Sequence, residues 1–169
     1  MSGLVSVEAC PFWTPESVAQ VRSATSFKEV ADVALGILRV MPQPIFQVCG
    51  PMSTGGLGCR EKNLAVFFEC VEELRNRGFS VFDQIPLQLG FDRLVEEWKK
   101  TNEGYCVPIL TAVYWRIFRS GFVKTAFFLP DWRTSWGTKW ERRVVVRCGL
   151  DVCEFPPDWY ESAVDRVVG

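Results

Sequence analysis

Histidine is absent from this 169-residue chain, and its absence excludes a large group of catalytic sites. Ser-His and Cys-His catalysis both need an imidazole base, and histidine is also the commonest zinc ligand. A general acid or base must therefore be a carboxylate or, less commonly, a cysteine, a lysine or a tyrosine. The seven cysteines contain no Cys-x-x-Cys pair, so we expect reduced thiols and a cytoplasmic location.

Long apolar runs are also missing from the chain. No window approaches the roughly 18 uninterrupted apolar residues of a membrane span, and Met1–Cys10 lacks the basic and apolar regions of a secretory signal. The net charge is -1, so the chain as a whole lacks the excess of positive charge that is typical of DNA- and RNA-binding proteins. We therefore expect neither a membrane nor a nucleic acid polymer as a partner.

Charge is nevertheless uneven along the chain. The range Arg116–Arg147 carries eight lysines or arginines against two acidic residues, Asp131 and Glu141. A basic segment of this kind would favour the binding of a phosphorylated small molecule. The alternative is an ordinary solvated helix face.

A strand, a glycine-rich loop and a helix follow one another in the first half of the chain. The apolar run Ile45–Cys49 leads into the loop Gly50–Gly58, which contains four glycines, and helical spacing then extends from Glu61. A second apolar run, Phe79–Phe82, completes a βαβ unit. In such units ligands bind outside the carboxyl ends of the strands, where backbone N–H groups and a helix N-terminus favour an anion. The loop is therefore the first candidate site.

A second loop of the same kind follows the nearly continuous apolar run Phe122–Leu129, which is typical of a central parallel strand. This loop spans Pro130–Gly137 and precedes a helix predicted over Thr138–Arg147, and Leu150–Phe155 predicts a last strand. The alternation favours an α/β fold, a three-layer sandwich with a mostly parallel, flavodoxin-like or Rossmann-like sheet of four or five strands. We expect the two loops to converge on one crevice.

Two helices are predicted before the first strand. Thr14 has the position of an N-cap before a proline, and Ser26 with Glu29 has the spacing of a capping box. We therefore expect residues 1–44 to form an N-terminal helical extension and residues 45–169 to form the α/β domain.

Four short motifs occur in a fixed order along the chain. They are Gly50-Pro51-Met52, Asn63 with Ala65-Val66-Phe67, Leu74-x-x-x-Gly78-x-x-Val81, and Phe128-Leu129-Pro130-Asp131-Trp132-x-x-Ser135-x-Gly137-x-x-x-Glu141. In this order they resemble the nucleoside 2-deoxyribosyltransferase-like superfamily, and most closely a small branch of it found in bacteria and phages. The resemblance covers about Ile45–Phe155.

Members of this superfamily with known activity cleave or exchange the N-glycosidic bond of 2-deoxyribonucleosides or nucleoside monophosphates. The resemblance therefore implies a nucleoside or nucleotide N-glycosidase or 2-deoxyribosyltransferase-like enzyme over residues 45–169, with a small-molecule nucleoside or nucleotide as substrate and no metal or other cofactor. It implies that Glu141 is the carboxylate nucleophile, which would trap the sugar as a glycosyl ester. It also implies a homo-oligomer, a dimer or larger, because members often complete their sites across a subunit interface.

The resemblance also implies which residues bind the substrate. Ser135 and Gly137, at a helix start, would hold a sugar hydroxyl or a 5′-phosphate. Apart from the resemblance, the indoles of Trp132 and Trp136 flank the second loop and are candidates for stacking on the base; the alternative is a core or interface position. The full set of predicted substrate-binding residues is Gly50, Pro51, Met52, Ser53, Ser135, Gly137 and Trp132.

One departure from the superfamily pattern leaves catalysis open. Active relatives carry an aspartate in the helix before the third strand, where this chain reads Tyr114–Phe118 without a carboxylate. A catalytic partner for Glu141 must then be Asp83 or Asp131, and the ordinary alternative for each aspartate is a turn residue. The alternative for Glu141 is a capping box with Thr138. The alternative functions are a non-catalytic protein that binds a nucleotide or an ADP-ribose-like ligand on the same fold, and a role in assembly.

Overall fold

The computed structural model describes residues 10–169, which form seven α-helices and four β-strands. In chain order these elements are α1 Pro15–Ser23, α2 Phe27–Val40, β1 Ile45–Cys49, α3 Arg60–Asn76, β2 Ser80–Val81, α4 Gln88–Lys99, α5 Trp115–Arg119, β3 Val123–Phe128, α6 Trp136–Arg147, β4 Asp151–Glu154 and α7 Pro157–Val168. No helix within residues 10–169 combines the length and the apolar character that crossing a membrane requires.

The described chain divides into two compact units. One contains the described residues through Met41 together with Gln84–Phe122, and the other contains Pro42–Asp83 and Val123–Gly169. The predicted strands and both candidate loops belong to the second unit.

In the described part of the first unit every regular element is a helix, including a π-helical turn, Ile109–Tyr114, that leads into α5. The predicted N-caps are confirmed, because Thr14 caps α1 and Ser26 caps α2. The capping box predicted for α2 is only half formed. The Ser26 hydroxyl accepts the Glu29 N–H at 3.2 Å, whereas the Glu29 carboxylate accepts the N–H of Thr25 at 2.6 Å.

The second unit contains a four-stranded sheet in the order β2-β1-β3-β4, and each neighbouring pair of strands is parallel. This confirms the α/β class and the parallel sheet expected from the sequence. The order matches the first four strands of flavodoxin-like sheets. Both central strands are largely buried, as expected for a parallel sheet that is covered on both faces.

The connections of this sheet explain how it is covered. The chain steps from β1 through α3 to one edge strand, and from β3 through α6 to the opposite edge strand. Because parallel crossovers are right-handed, steps in opposite directions place α3 and α6 on opposite faces of the sheet. Helix α7 packs against α3. The second unit is therefore consistent with the predicted three-layer sandwich.

Candidate functional site

The loops after β1 and β3 leave the sheet from neighbouring strands. β1 ends at Cys49 and β3 at Phe128, which are partners in the register, and the Leu129 N–H donates to the Cys49 carbonyl at 2.9 Å. The chain moves away from this pair of strands in opposite directions, so their carboxyl ends form the switch point where ligands of open α/β sheets bind. The two loops meet at one edge of the sheet, as their positions in the sequence predict.

Direct contacts join the two loops. The Gly56 N–H donates to Thr134 Oγ1 at 2.7 Å, and the same hydroxyl donates to the Asp131 carbonyl at 2.7 Å. Gly55 and Gly56 both have positive φ, and a Cβ atom on Gly55 would lie 2.5 Å from the Thr134 carbonyl oxygen. This part of the loop is glycine because two backbone segments approach each other closely.

The buried side chain of Asn63, in the first turn of α3, holds the same loop from the other side. Its Oδ1 accepts the Leu57 N–H at 2.8 Å, and its Nδ2 donates to the Gly55 carbonyl at 3.0 Å. The sequence marks Asn63 only as part of a motif, and this positioning role was missed. An asparagine that closely follows a glycine-rich loop is the signal that could have found it.

Gly50, the first residue of the loop, is packed against the second loop. A Cβ atom on Gly50 would lie 2.5 Å from Cδ1 and 2.8 Å from Cγ of Leu129, which is itself 2% exposed. The absence of a side chain at Gly50 therefore makes room for Leu129. Of the other residues predicted to line the pocket from this loop, Pro51 is buried, Met52 is half-buried and Ser53 is exposed.

Helix α6 begins at Trp136, earlier than the predicted start at Thr138. The buried Ser135 is the N-cap, and its hydroxyl accepts the Thr138 N–H at 3.3 Å. Gly137, in the first turn, is also buried. Because the cap is Ser135, Glu141 lies beyond the first turn, and the capping box considered for Glu141 is wrong.

Glu141 is a buried residue whose carboxyl group has no compensating partner in the described part of the chain. The residue is 5% exposed, and no hydrogen bond or ion pair to its carboxylate is formed within residues 10–169. Burial raises the pKa of Glu141 from its ordinary 4.5 to about 8. Burial also raises the pKa of the Cys49 thiol, and the nearby charge of Glu141 adds to that rise. Glu141 therefore lies close to the carboxyl end of β1, where the first loop begins.

Asp131 lies in the second loop and bonds to α7. The Tyr160 hydroxyl donates to Asp131 Oδ2 at 2.7 Å, while Oδ1 is buried and has no hydrogen-bond partner among the described residues. Burial and the Asp131 carboxylate together raise the pKa of Tyr160. Tyr160 was missed because nothing local in the sequence links it to this loop.

Asp83 follows the edge strand β2, and its carboxylate is completely buried. The Arg75 Nη2 lies 3.5 Å from Asp83 Oδ2, so a cation from α3 compensates this carboxylate. The predicted catalytic carboxylates are therefore in three different states: Asp83 faces an arginine, Asp131 accepts a tyrosine hydroxyl, and Glu141 has no partner.

The ring of Trp132, the candidate for base stacking, is in contact with cations. The guanidinium carbon of Arg133 lies 4.4 Å from the ring centroid, and that of Arg142 lies 4.5 Å from it. The indole Nε1 is buried and has no hydrogen-bond partner among the described residues. Trp132 therefore orients two arginine side chains, Arg133 in the second loop and Arg142 on α6.

In residues 10–169, no three side chains of the types that bind metal ions lie close enough together to form a metal site. The chain matches no protein-family model, no curated protein and no solved structure.

Proposed function

We propose that the second unit acts on the N-glycosidic bond of a nucleoside or nucleotide and that Glu141 is the reacting carboxylate. The observation that carries the proposal is the buried, uncompensated Glu141 at the switch point of the sheet. A carboxyl group with a strongly raised pKa at the usual ligand-binding edge is characteristic of catalytic acids and nucleophiles. The motif resemblance supplies the substrate class.

The raised pKa of Glu141 supports two roles in such a reaction. The protonated form, dominant at neutral pH, can donate its proton to the departing base. The ionised form can attack the anomeric carbon while the glycosidic C–N bond breaks and the base leaves with its electron pair. The resulting ester holds the sugar until water or a second base releases it. We assign the nucleophile role to Glu141, and a positively charged sugar in the transition state would favour the ionised form.

A substrate reaches Glu141 in this proposal by displacing the glycine-rich loop. The loop touches the second loop through Gly56 and Thr134, and its tip, Ser53 and Thr54, is exposed. Displacement would uncover the carboxyl ends of both central strands. Closure over a bound substrate would exclude water from the glycosyl ester.

The test measures, by chromatography, the release of free base from 2-deoxynucleoside monophosphates. It compares the parent protein with Glu141→Gln and Glu161→Gln. Glu161 is an exposed glutamate on α7 and controls for the general effect of the substitution. We expect Glu141→Gln to lose about a hundredfold or more in rate while Glu161→Gln keeps the parent rate. Equal rates for the parent and Glu141→Gln would contradict the assignment.

The pH dependence of the rate separates the two roles of Glu141. A nucleophile must be ionised, so the rate would rise with pH and level off above the pKa of about 8. A general acid must be protonated, so the rate would fall over the same range. A profile that rises toward about pH 8 supports the nucleophile, and a profile that falls contradicts it.

The second candidate is a protein that binds a nucleotide or an ADP-ribose-like ligand without turnover. The observation that favours it is that both possible partner acids are already engaged, Asp83 by Arg75 and Asp131 by Tyr160. A thermal shift with a nucleoside monophosphate or ADP-ribose, with no base or ribose product, would support this candidate.

A further inference from the structure

A basic groove runs along the outer side of the second loop and of α6. Its volume is about 570 Å³, within the range of small-molecule sites. The residues that line it, all in the second unit, are Trp132, Arg133, Lys139, Arg142, Arg143 and Val146. We call this feature the basic groove.

The cations of the basic groove are poorly compensated. Arg142 pairs with Glu154, whereas Arg133, Lys139 and Arg143 form no ion pair within the part of the chain that the structure describes. Four cations around one concavity repel one another, and they raise the local concentration of anions. The groove therefore favours a ligand with several negative charges.

Two arginines of the basic groove contact an aromatic ring. Contact with the Trp132 ring orients the guanidinium groups of Arg133 and Arg142, and the Arg142 Nη1 is buried without a hydrogen-bond partner among residues 10–169. Arginines fixed in this way lose little entropy when they bind a phosphate.

The basic groove lies beside the Glu141 site, because Arg142 and Glu141 both influence the Cys49 thiol, but its exposed cations lie on another face of α6. Lys139 and Arg143 are exposed and lie four residues apart, so they share one face of α6, whereas Glu141 is buried. A ligand in the groove therefore has no need to displace the glycine-rich loop.

We propose that the basic groove binds a small molecule that carries two or three linked phosphates, such as a nucleoside triphosphate or inorganic triphosphate. Three uncompensated cations and one half-exposed arginine match the charge of such a group. A nucleic acid polymer fits less well, because the net charge of the chain is -1 and the cations are confined to one groove rather than spread along a stripe. The proposal is independent of N-glycosidic chemistry.

The test is isothermal titration with inorganic triphosphate and with dATP at low salt. The variants are Lys139→Glu, Arg143→Glu and the matched control Arg147→Glu, which makes the same change in charge on α6 at an exposed residue that does not line the groove. We expect the Kd to rise about tenfold for each groove variant and less than about twofold for Arg147→Glu. Circular dichroism and thermal unfolding without ligand verify that each variant is folded.

Several outcomes would overturn the proposal. These are no binding of either phosphate compound to the parent protein, an equal loss of affinity in Arg147→Glu, and tighter binding of a single-stranded oligonucleotide than of triphosphate. Equal binding of triphosphate and dATP assigns the groove to the phosphates alone, whereas tighter binding of dATP adds contacts to the nucleoside. Inorganic triphosphate has no N-glycosidic bond, so its binding keeps this result distinct from the test of catalysis.

Discussion

The stability of this protein should fall as the pH rises from about 5.5 to about 7.5, and Glu141 should be the reason. In the unfolded chain its carboxyl group ionises near the ordinary 4.5, whereas burial raises the pKa in the folded state to about 8. Between these two values the folded state holds one more proton than the unfolded state. The contribution of Glu141 to stability is therefore fully present below the lower value and is lost as the pH rises to the higher one.

The size of the effect follows from the difference in bound protons. One extra proton in the folded state changes the free energy of unfolding by about 1.4 kcal/mol per pH unit, so two pH units remove about 2.7 kcal/mol. This is a large part of the stability of an ordinary domain. The chain has no histidine, so no other side-chain type with an ordinary pKa titrates in this range. The α-amino group does titrate there, but it is common to the parent and every variant.

Urea unfolding of the parent protein, Glu141→Gln and Glu161→Gln at three pH values would measure the effect. Glutamine has nearly the shape of a protonated glutamate and cannot ionise, so Glu141→Gln should show a flat profile over this range. The exposed Glu161→Gln should keep the slope of the parent. A flat profile for the parent, or the same slope in Glu141→Gln, would refute the argument that Glu141 is buried without a compensating partner.

Two further predictions concern the packing of Gly50, with Gly36 in α2 as its control, and the hydrogen bond between the two loops. Gly50→Ala should reduce the free energy of unfolding by about 1 to 3 kcal/mol, because its Cβ would overlap the buried Leu129. Gly36→Ala should increase the free energy of unfolding by up to about 1 kcal/mol, because Gly36 is a helical glycine with open space around it. Thermal or urea unfolding checks both signs, and a stabilising Gly50→Ala would contradict the packing argument. Thr134→Val keeps the shape of the side chain but removes the hydroxyl that accepts the Gly56 N–H. Hydrogen exchange of the Gly56 amide should therefore become about fivefold faster. Unchanged exchange would count against a hydrogen bond between the loops.

Local signals in the sequence predict most of the second unit. β1 has the predicted bounds, Ile45–Cys49, because a glycine and a proline stop an apolar run abruptly. The start of α6 was predicted too late. Gly137 is a poor helix former and suggested a loop, although Ser135 was available as the cap. β2 is also shorter than predicted, Ser80–Val81 rather than Phe79–Phe82, because apolar residues continue past the last paired position.

The contacts that build the candidate site could not be predicted in the same way, because they join distant parts of the chain. The hydrogen bond from Gly56 to Thr134 spans 78 residues, and the bond from Tyr160 to Asp131 spans 29 residues. Neither bond leaves a periodic or local pattern in the sequence. The excess of positive charge was visible, but its grouping around Trp132 depends on how α6 is rotated about its axis.

Glu141 supports the proposed function more strongly than the glycine-rich loop does. Contacts within the protein fully explain Gly50 and Gly55, because Leu129 and Thr134 occupy the space that side chains would need. Nothing comparable explains Glu141, since an isolated buried carboxyl group costs stability and an apolar side chain of similar size would fill the same space at no such cost. A residue that packing does not explain, at the carboxyl edge of a parallel sheet, is the observation that supports the proposed chemistry. The case for a reaction at this site therefore depends on Glu141 and not on the glycines that first draw attention to it.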